Sequence, residues 1–279
     1  MGVALRNTSY SVNIKERLDF SCALFDAEGR LIANAPHVPV HLGSMGASVR
    51  SVIERRRGTM RPGDVFMLNN PYGGGTHLPD VTVITPVFGS DDQVLFYVAS
   101  RGHHADIGGT TPGSMPPDSR HIDEEGILID DFQLVEQGRF REAAVRELFG
   151  SGRYPARNIE QNLNDLHAQI AANEKGVQEL RRMVAQYGLD VVQAYMQHVR
   201  ANAAEQVRRV LDVLKPGRFV LPLDNGAEIH VEIRIARAQR QAVIDFSGSS
   251  AQLANNFNAP SAVVQAAVLY VFRTLVEDD

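Results

Sequence analysis

The chain has 279 residues, 44% hydrophobic and 22% charged, with a net charge of −5, which excludes wholesale disorder and argues against nucleic acid or a membrane surface as partner. A single cysteine, Cys22, excludes a disulfide framework and a Cys-rich zinc site. The sequence has neither a run of about 18 apolar residues nor an apolar signal core in MGVALRNTSYSVNIKERLDF, so a cytoplasmic protein is expected.

Residues 1–157 read as short strands broken by turns. LDFSCALFD and GRLIAN, around Asp26-Ala27-Glu28-Gly29, have the pattern of a hairpin. DVFMLNN (64–70), VTVITPVF (81–88) and VLFYVAS (94–100) are β-branched or aromatic runs of strand length. Residues 101–126 turn polar and irregular, rich in Gly and Pro and poor in Lys, as an ordered active-site loop would be. From 158 to 215 the period changes. Leu163, Leu166, Ile170, Val177, Leu180 and Val184 form one helical stripe, Gly188 ends it, and Val192, Tyr195, Met196, Val199, Ala203, Val207, Val210 and Leu214 form a second. Lys215-Pro216-Gly217 stops this helical hairpin. In 216–279, EIHVEIRIA and QAVIDFSGS read as a strand pair. NAPSAVVQAAVLYVFRTLV (258–276) then reads as a helix without a polar face, which calls for burial under a further domain or a partner. The expected class is α+β in three parts: 1–157 bearing a loop cluster for a metal, 158–215 the helical hairpin, and 216–279 the start of a domain that continues beyond the chain.

Of the nine histidines, His37, His41, His77, His103, His104 and His121 lie between 37 and 121. In NNPYGGGTHLPDV, Gly74 and Gly75 allow close approach to a substrate, but the Gly-Lys-Ser/Thr ending of a phosphate loop is absent. His77 and Asp80 are three apart. Imidazole plus carboxylate suits Zn, Mn or Fe(II), and a turn with Asp80 capping the next strand fits equally. In SRGHHADIGG, neighbours on an extended chain point opposite ways, so at most one of His103 and His104 shares a centre with His77. The other faces substrate or orients a ligand, with Asp106 as a supporting carboxylate. Asp19, set between Leu18 and Phe20, needs a partner: Arg17, Lys15 or a metal. His37 and His41 in HVPVHLG would point the same way in a strand, as further ligands, substrate contacts or parts of a packed turn. The charged run after His121 fits a solvated face. Ser44 and Ser114 lack a readable triad. Cys22 reads as an inert core thiol.

Taken in order, ERLDFSCALFDAEGRLIA, HVPVHLGSM, GDVFMLNNPYGGGTHLPDV, RGHHADIGG, PGSMPPDSRHIDEEG and NLNDLHAQIAANEKG resemble the hydantoinase B family over essentially the whole chain. That family takes in the B subunit of N-methylhydantoinases, the corresponding half of 5-oxoprolinase and, more distantly, the alpha subunit of acetone-type carboxylases. The resemblance implies a hetero-oligomeric, ATP-dependent system. An A-type partner binds ATP and phosphorylates the carbonyl of a small cyclic amide, and the B-type subunit completes ring opening with a divalent metal, Zn, Mn or Fe. It also implies the ligands Asp19, His77, Asp80 and His103. His104 and Asp106 are then candidate general bases or orienters, and His41, Gly74 and Gly75 candidate substrate contacts. Members of the family continue well past residue 279. A ketone carboxylase subunit and a non-catalytic metal-binding scaffold remain the alternatives.

Overall fold

The computed structural model describes residues 1–35 and 38–276. Two short helices, α1 (Gly2–Thr8) and α2 (Val12–Lys15), lead into the hairpin β1 (Phe20–Asp26) and β2 (Leu31–Asn34). Helix α3 (Pro39–Arg55) follows, then strands β3 (Val65–Leu68), β4 (Asp80–Phe88) and β5 (Val94–His103). Beyond the long loop come β6 (Phe132–Glu136), β7 (Arg139–Phe140) and α4 (Glu142–Gly150). The helical hairpin is α5 (Ile159–Tyr187) and α6 (Leu189–Val213), turning at Gly188. Strands β8 (Gly217–Pro222), β9 (Glu228–Ala236) and β10 (Gln241–Asp245) and helix α7 (Ser261–Thr274) complete the chain.

Seven strands form one antiparallel sheet in the order β2-β1-β5-β4-β3-β6-β7. Its strands read as nearly continuous apolar runs because both faces are covered. Alternation assigns the faces. Phe66 and Leu68 of β3, Ile84 of β4 and Tyr97 and Ala99 of β5 pack with Met45, Val49 and Val52 of α3. Their neighbours Val65, Met67, Val81 and Val83 meet Leu163 and Leu166 of α5, and Phe96 and Val98 meet Val177 and Leu180 further along it. The mixed α and β architecture, the first hairpin, the central strands and the helical hairpin thus match expectation.

Three features differ from it. Within HVPVHLG, residues 39–43 are helical rather than extended: Pro39 opens α3, a position that suits proline because its missing N–H has no partner there in any case. The final strand pair gains a third member, β8, and forms a separate sheet, β10-β9-β8. Helix α7 starts only after Pro260 and is covered on one side, where Ala262, Ala266 and Phe272 are buried; Leu269, Tyr270, Val271 and Leu275 remain exposed. Among the described residues no helix is long and apolar enough to cross a membrane.

Candidate metal centre

Strand parity builds the site. In β5, Tyr97, Ala99, Arg101 and His103 face α3; in β4, Asp80, Thr82 and Ile84 do. The register sets Asp80 opposite His103 and Phe20 opposite Gly102, so the residue before Phe20 arrives beside His103. Asp19 is therefore not inside an apolar strand, as the sequence suggested. Strand β1 begins one residue later, and the partner of Asp19 is His103, with Oδ2 3.6 Å from Nδ1, rather than Arg17 or Lys15. The His103 amide also donates to the Asp19 carbonyl at 3.0 Å.

Asp80 is the hub. Its Oδ2 meets Nε2 of His41 at 3.0 Å and Nδ1 of His77 at 3.0 Å, and accepts the hydroxyl of Thr76. Nδ1 of His103 stands 3.5 Å from Oδ1, which is fully buried and has no hydrogen bond. The His77 and His103 rings lie 4.9 Å apart. One ligand atom each from His77, Asp80 and His103 falls within 4.8 Å of the others, and Asp19, His41 and Asp80 form a second such group. Burial works against a charge on Asp80, but His103, His41 and His77 outweigh it and hold its carboxyl well below the usual range. For His77, burial opposes the cation, yet the hydrogen bond and negative charge of Asp80 raise its pKa. Buried carboxylate, imidazoles and an orphaned carboxylate oxygen make a donor set that fits a divalent cation.

These groups open into a cleft of about 360 Å³, also lined by Asn13, Arg17, Val38, Val40 and Met115. Beyond the end of β5 the irregular segment reaches the cleft through Met115, and Ser114 ties it to itself, its hydroxyl donating to the Gly108 carbonyl and accepting from the Ile107 amide.

Several expected site residues lie elsewhere. His104 points to the opposite face, fully buried. Its Nε2 lies 3.0 Å from Gln169 Oε1, its Nδ1 3.1 Å from Asn162 Nδ2, and its ring stacks against Phe149. Asp106 is taken by Arg157 at 2.8 Å and by the amides of Gly108, Gly113 and Arg157. Neither residue reaches the cleft, so the base or orienting roles expected of them there do not fit their positions. His41 lines the cleft but offers it little surface. It is 1% exposed and sits behind Asp80, with its Nδ1 2.9 Å from Ser21 Oγ. Gly74 and Gly75 do not line the cleft; they press the loop against the fold. Gly74 has φ +91°, and a Cβ there would stand 2.4 Å from the Ser48 amide, while one on Gly75 would stand 2.2 Å from the Asn69 carbonyl oxygen. His37 lies outside the described residues.

Sequence reasoning missed Arg101. It is fully buried between β4, α3 and the glycine loop, donating to Thr82 Oγ1 (2.7 Å), Ser48 Oγ (2.8 Å) and the Gly74 carbonyl (3.2 Å). Burial brings its guanidinium down to about 10, still protonated at neutral pH, and the nearby charge of Asp80 supports the cation. No local pattern marks it; only the fold brings its partners together.

The Hydantoinase B/oxoprolinase family model matches residues 1–279. The chain is 46% identical to 5-oxoprolinase 1 of Arabidopsis thaliana, covering all of this chain and 24% of that protein. It is 30% identical to a Pseudomonas protein named as the B component of a D-/L-hydantoinase, covering all of this chain and 49% of that protein. The chain therefore spans about a quarter to a half of these relatives. The solved structure of an ATP-dependent caprolactamase from Pseudomonas jessenii superposes with a TM-score of 0.85 at 27% identity, over 99% of this chain and 48% of that one. An acetone carboxylase shares the fold, with a TM-score of 0.82 at 19% identity, over 99% of this chain and 38% of that one. The chain belongs to the hydantoinase B/oxoprolinase family.

Proposed function

We propose that this chain is the metal-bearing B-type part of an ATP-dependent hydrolase of small cyclic amides (5-oxoproline, a hydantoin or a lactam), working with an A-type partner that binds ATP. The observation that carries this reading is Asp80, a buried carboxylate with one oxygen that accepts no hydrogen bond, ringed by imidazoles at the floor of an open cleft. The names of the relatives, oxoprolinase, hydantoinase and caprolactamase, supply the reaction class. A closed site would have favoured a structural scaffold; here His77 is 36% exposed toward solvent.

Asp19, His77, Asp80 and His103 are the residues we assign to one divalent ion. An ion bound there would acidify a coordinated water and so supply a nucleophile at neutral pH. The mixed imidazole and carboxylate donors would suit Zn, Mn or Fe. The chain's own residues do the positioning. His41 holds Oδ2 of Asp80 and is itself held by Ser21, a relay that fixes the carboxylate's orientation. Thr76 donates to the same oxygen. Arg101 ties the glycine loop to α3 and the sheet beneath the centre. The cleft above provides the space for the ring. A cytoplasmic location goes with the ATP dependence.

The test is elemental analysis of protein purified without chelator, for the wild type and a His77→Ala/Asp80→Ala variant, followed by an assay of ATP-dependent opening of 5-oxoproline with an A-type partner. Near-stoichiometric metal that disappears in the variant is expected. A metal-free wild type would sink the proposal.

A further inference from the structure

We propose that Arg17 is the anion-recognising residue of the cleft, and that the cyclic amide reaches the centre carrying an oxyanion which this guanidinium receives. The inference rests on the functional reading above and names the kind of substrate it takes.

The segment bearing Arg17 is held from both ends. The Tyr10 and Ser11 amides donate to Asp165 Oδ1 of α5 at 2.8 and 3.0 Å, Ile14 is fully buried, and the Asp19 amide donates to the Asn13 carbonyl at 2.9 Å. Leu18, between Arg17 and Asp19, has φ +58° and a side chain left 45% exposed. A bulky residue in the left-handed region is an outlier that persists only where the surroundings impose it. The result is a rigid turn from which Asn13, Arg17 and Asp19 all line one cleft.

Charge then distinguishes Arg17 from its surroundings. Arg30 is paired with Asp26 at 2.7 Å and Arg157 with Asp106 at 2.8 Å. Among the described residues Arg17 has no side-chain hydrogen bond or ion pair, although Asp19 is two positions away and faces His103 instead. The cleft's two carboxylates, Asp19 and Asp80, balance a divalent ion, which leaves Arg17 as the uncompensated charge at the cleft. A guanidinium offers a planar fork matched to carboxylate or phosphoryl oxygens. Val38, Val40 and Met115 line the same cleft and suit the methylenes of a small ring. Two sources give the same oxyanion chemistry: a carboxylate carried by the ring, or a phosphoryl group placed on the ring carbonyl oxygen.

The experiment uses the full-length protein with its A-type partner and ATP, as wild type, Arg17→Met and Arg17→Lys. The substrates are 5-oxoproline and its uncharged analogue 2-pyrrolidinone. For Arg17→Met, kcat/KM on 5-oxoproline is expected to fall at least tenfold, with partial rescue by Arg17→Lys and with wild-type melting temperature and bound metal. A tenfold collapse in the preference for the acid over the neutral lactam assigns the carboxylate. An equal fall on both substrates assigns the phosphoryl group. Wild-type kcat/KM in Arg17→Met on 5-oxoproline overturns the proposal. A wild type that opens neither lactam refutes the functional reading instead. Calorimetric titration with inorganic phosphate then decides Arg17 alone: binding at least tenfold weaker in Arg17→Met supports it, and equal or absent binding in both overturns it.

Discussion

The two faces of the main sheet separate at the end of β5, where His103 turns toward α3 and His104 toward α5. On the α5 side the histidine meets amides, Asn162 and Gln169, and the same row pins the helix to the strands. Gln169 donates to the carbonyls of Val81 and Ser100, and Asn173 to that of Val83. On the α3 side the histidines meet carboxylates, and the cluster opens to solvent. Both faces leave buried acceptors unpaired. On the α5 side these are the neutral amide oxygens of Asn162 and Asn173 and one oxygen of Asp165, whose other oxygen accepts the Tyr10 and Ser11 amides, whereas Oδ1 of Asp80 belongs to a carboxylate ringed by imidazoles and held in its charged form. The difference teaches that neutral partners close a histidine into the fold, while charged partners prepare it for a cation.

The largest effect that would sharpen this contrast is expected from Asp80→Ala. Metal affinity, measured by equilibrium dialysis, should fall by more than the roughly hundredfold that supporting residues cost; retention of stoichiometric metal would break the comparison. On the other face, His104→Leu strands the Asn162 and Gln169 amides and should lower the unfolding free energy by about 2 kcal/mol in urea, with metal content at the wild-type level. Loss of metal without loss of stability would reverse the roles of the two faces. A smaller change, about 10- to 100-fold in metal affinity, is expected from His41→Ala, because the Asp80 carboxylate loses its orienting partner. No change would place His41 in packing alone. The smallest effect concerns Cys22, buried on the α5 side among Ile14, Phe20 and Ala168. Burial pushes its thiol from 9.0 to about 12. The unfolded chain releases this proton near pH 9 while the folded chain keeps it, so its contribution is intact below pH 9 and is lost as pH rises toward 12. Tyr97, on the other face, is also pushed up to about 12 by burial and loses its share from pH 10 upward. Cys22→Ala should therefore make alkaline destabilisation shallower by up to one proton, read from urea midpoints between pH 9 and 11. An unaltered slope would mean that the thiol is not shielded.

The strands and the helical hairpin were legible because their apolar residues repeat at periods of two and of three to four over long stretches. Helix α3 was not. Gly43, Ser44, Gly46, Ala47 and Ser48 carry no apolar stripe to announce a helix, yet small residues are what this helix needs where the glycine loop and α7 press on it. Adjacency alone indicated that His103 and His104 would part, and the structure brings the four positions implied by family resemblance to one cleft. The supporting residues were hidden for another reason. Arg101 acts through Ser48, 53 positions away, and His41 through Asp80, 39 positions away. Those pairings are created by sheet register and helix docking, which no local window contains. The local rule misled at Gly74 and Gly75, where freedom to approach is used against the protein's own backbone.

Gly43 sets how closely two helices can lie. A Cβ at that position would lie 2.5 Å from the Cα of Ala266, so α3 and α7 touch backbone to backbone, two residues from His41. With no side chain between them, the two helices sit at a spacing that only glycine permits, and any larger residue at this position would push α7 off the helix that carries the imidazole steadying Asp80.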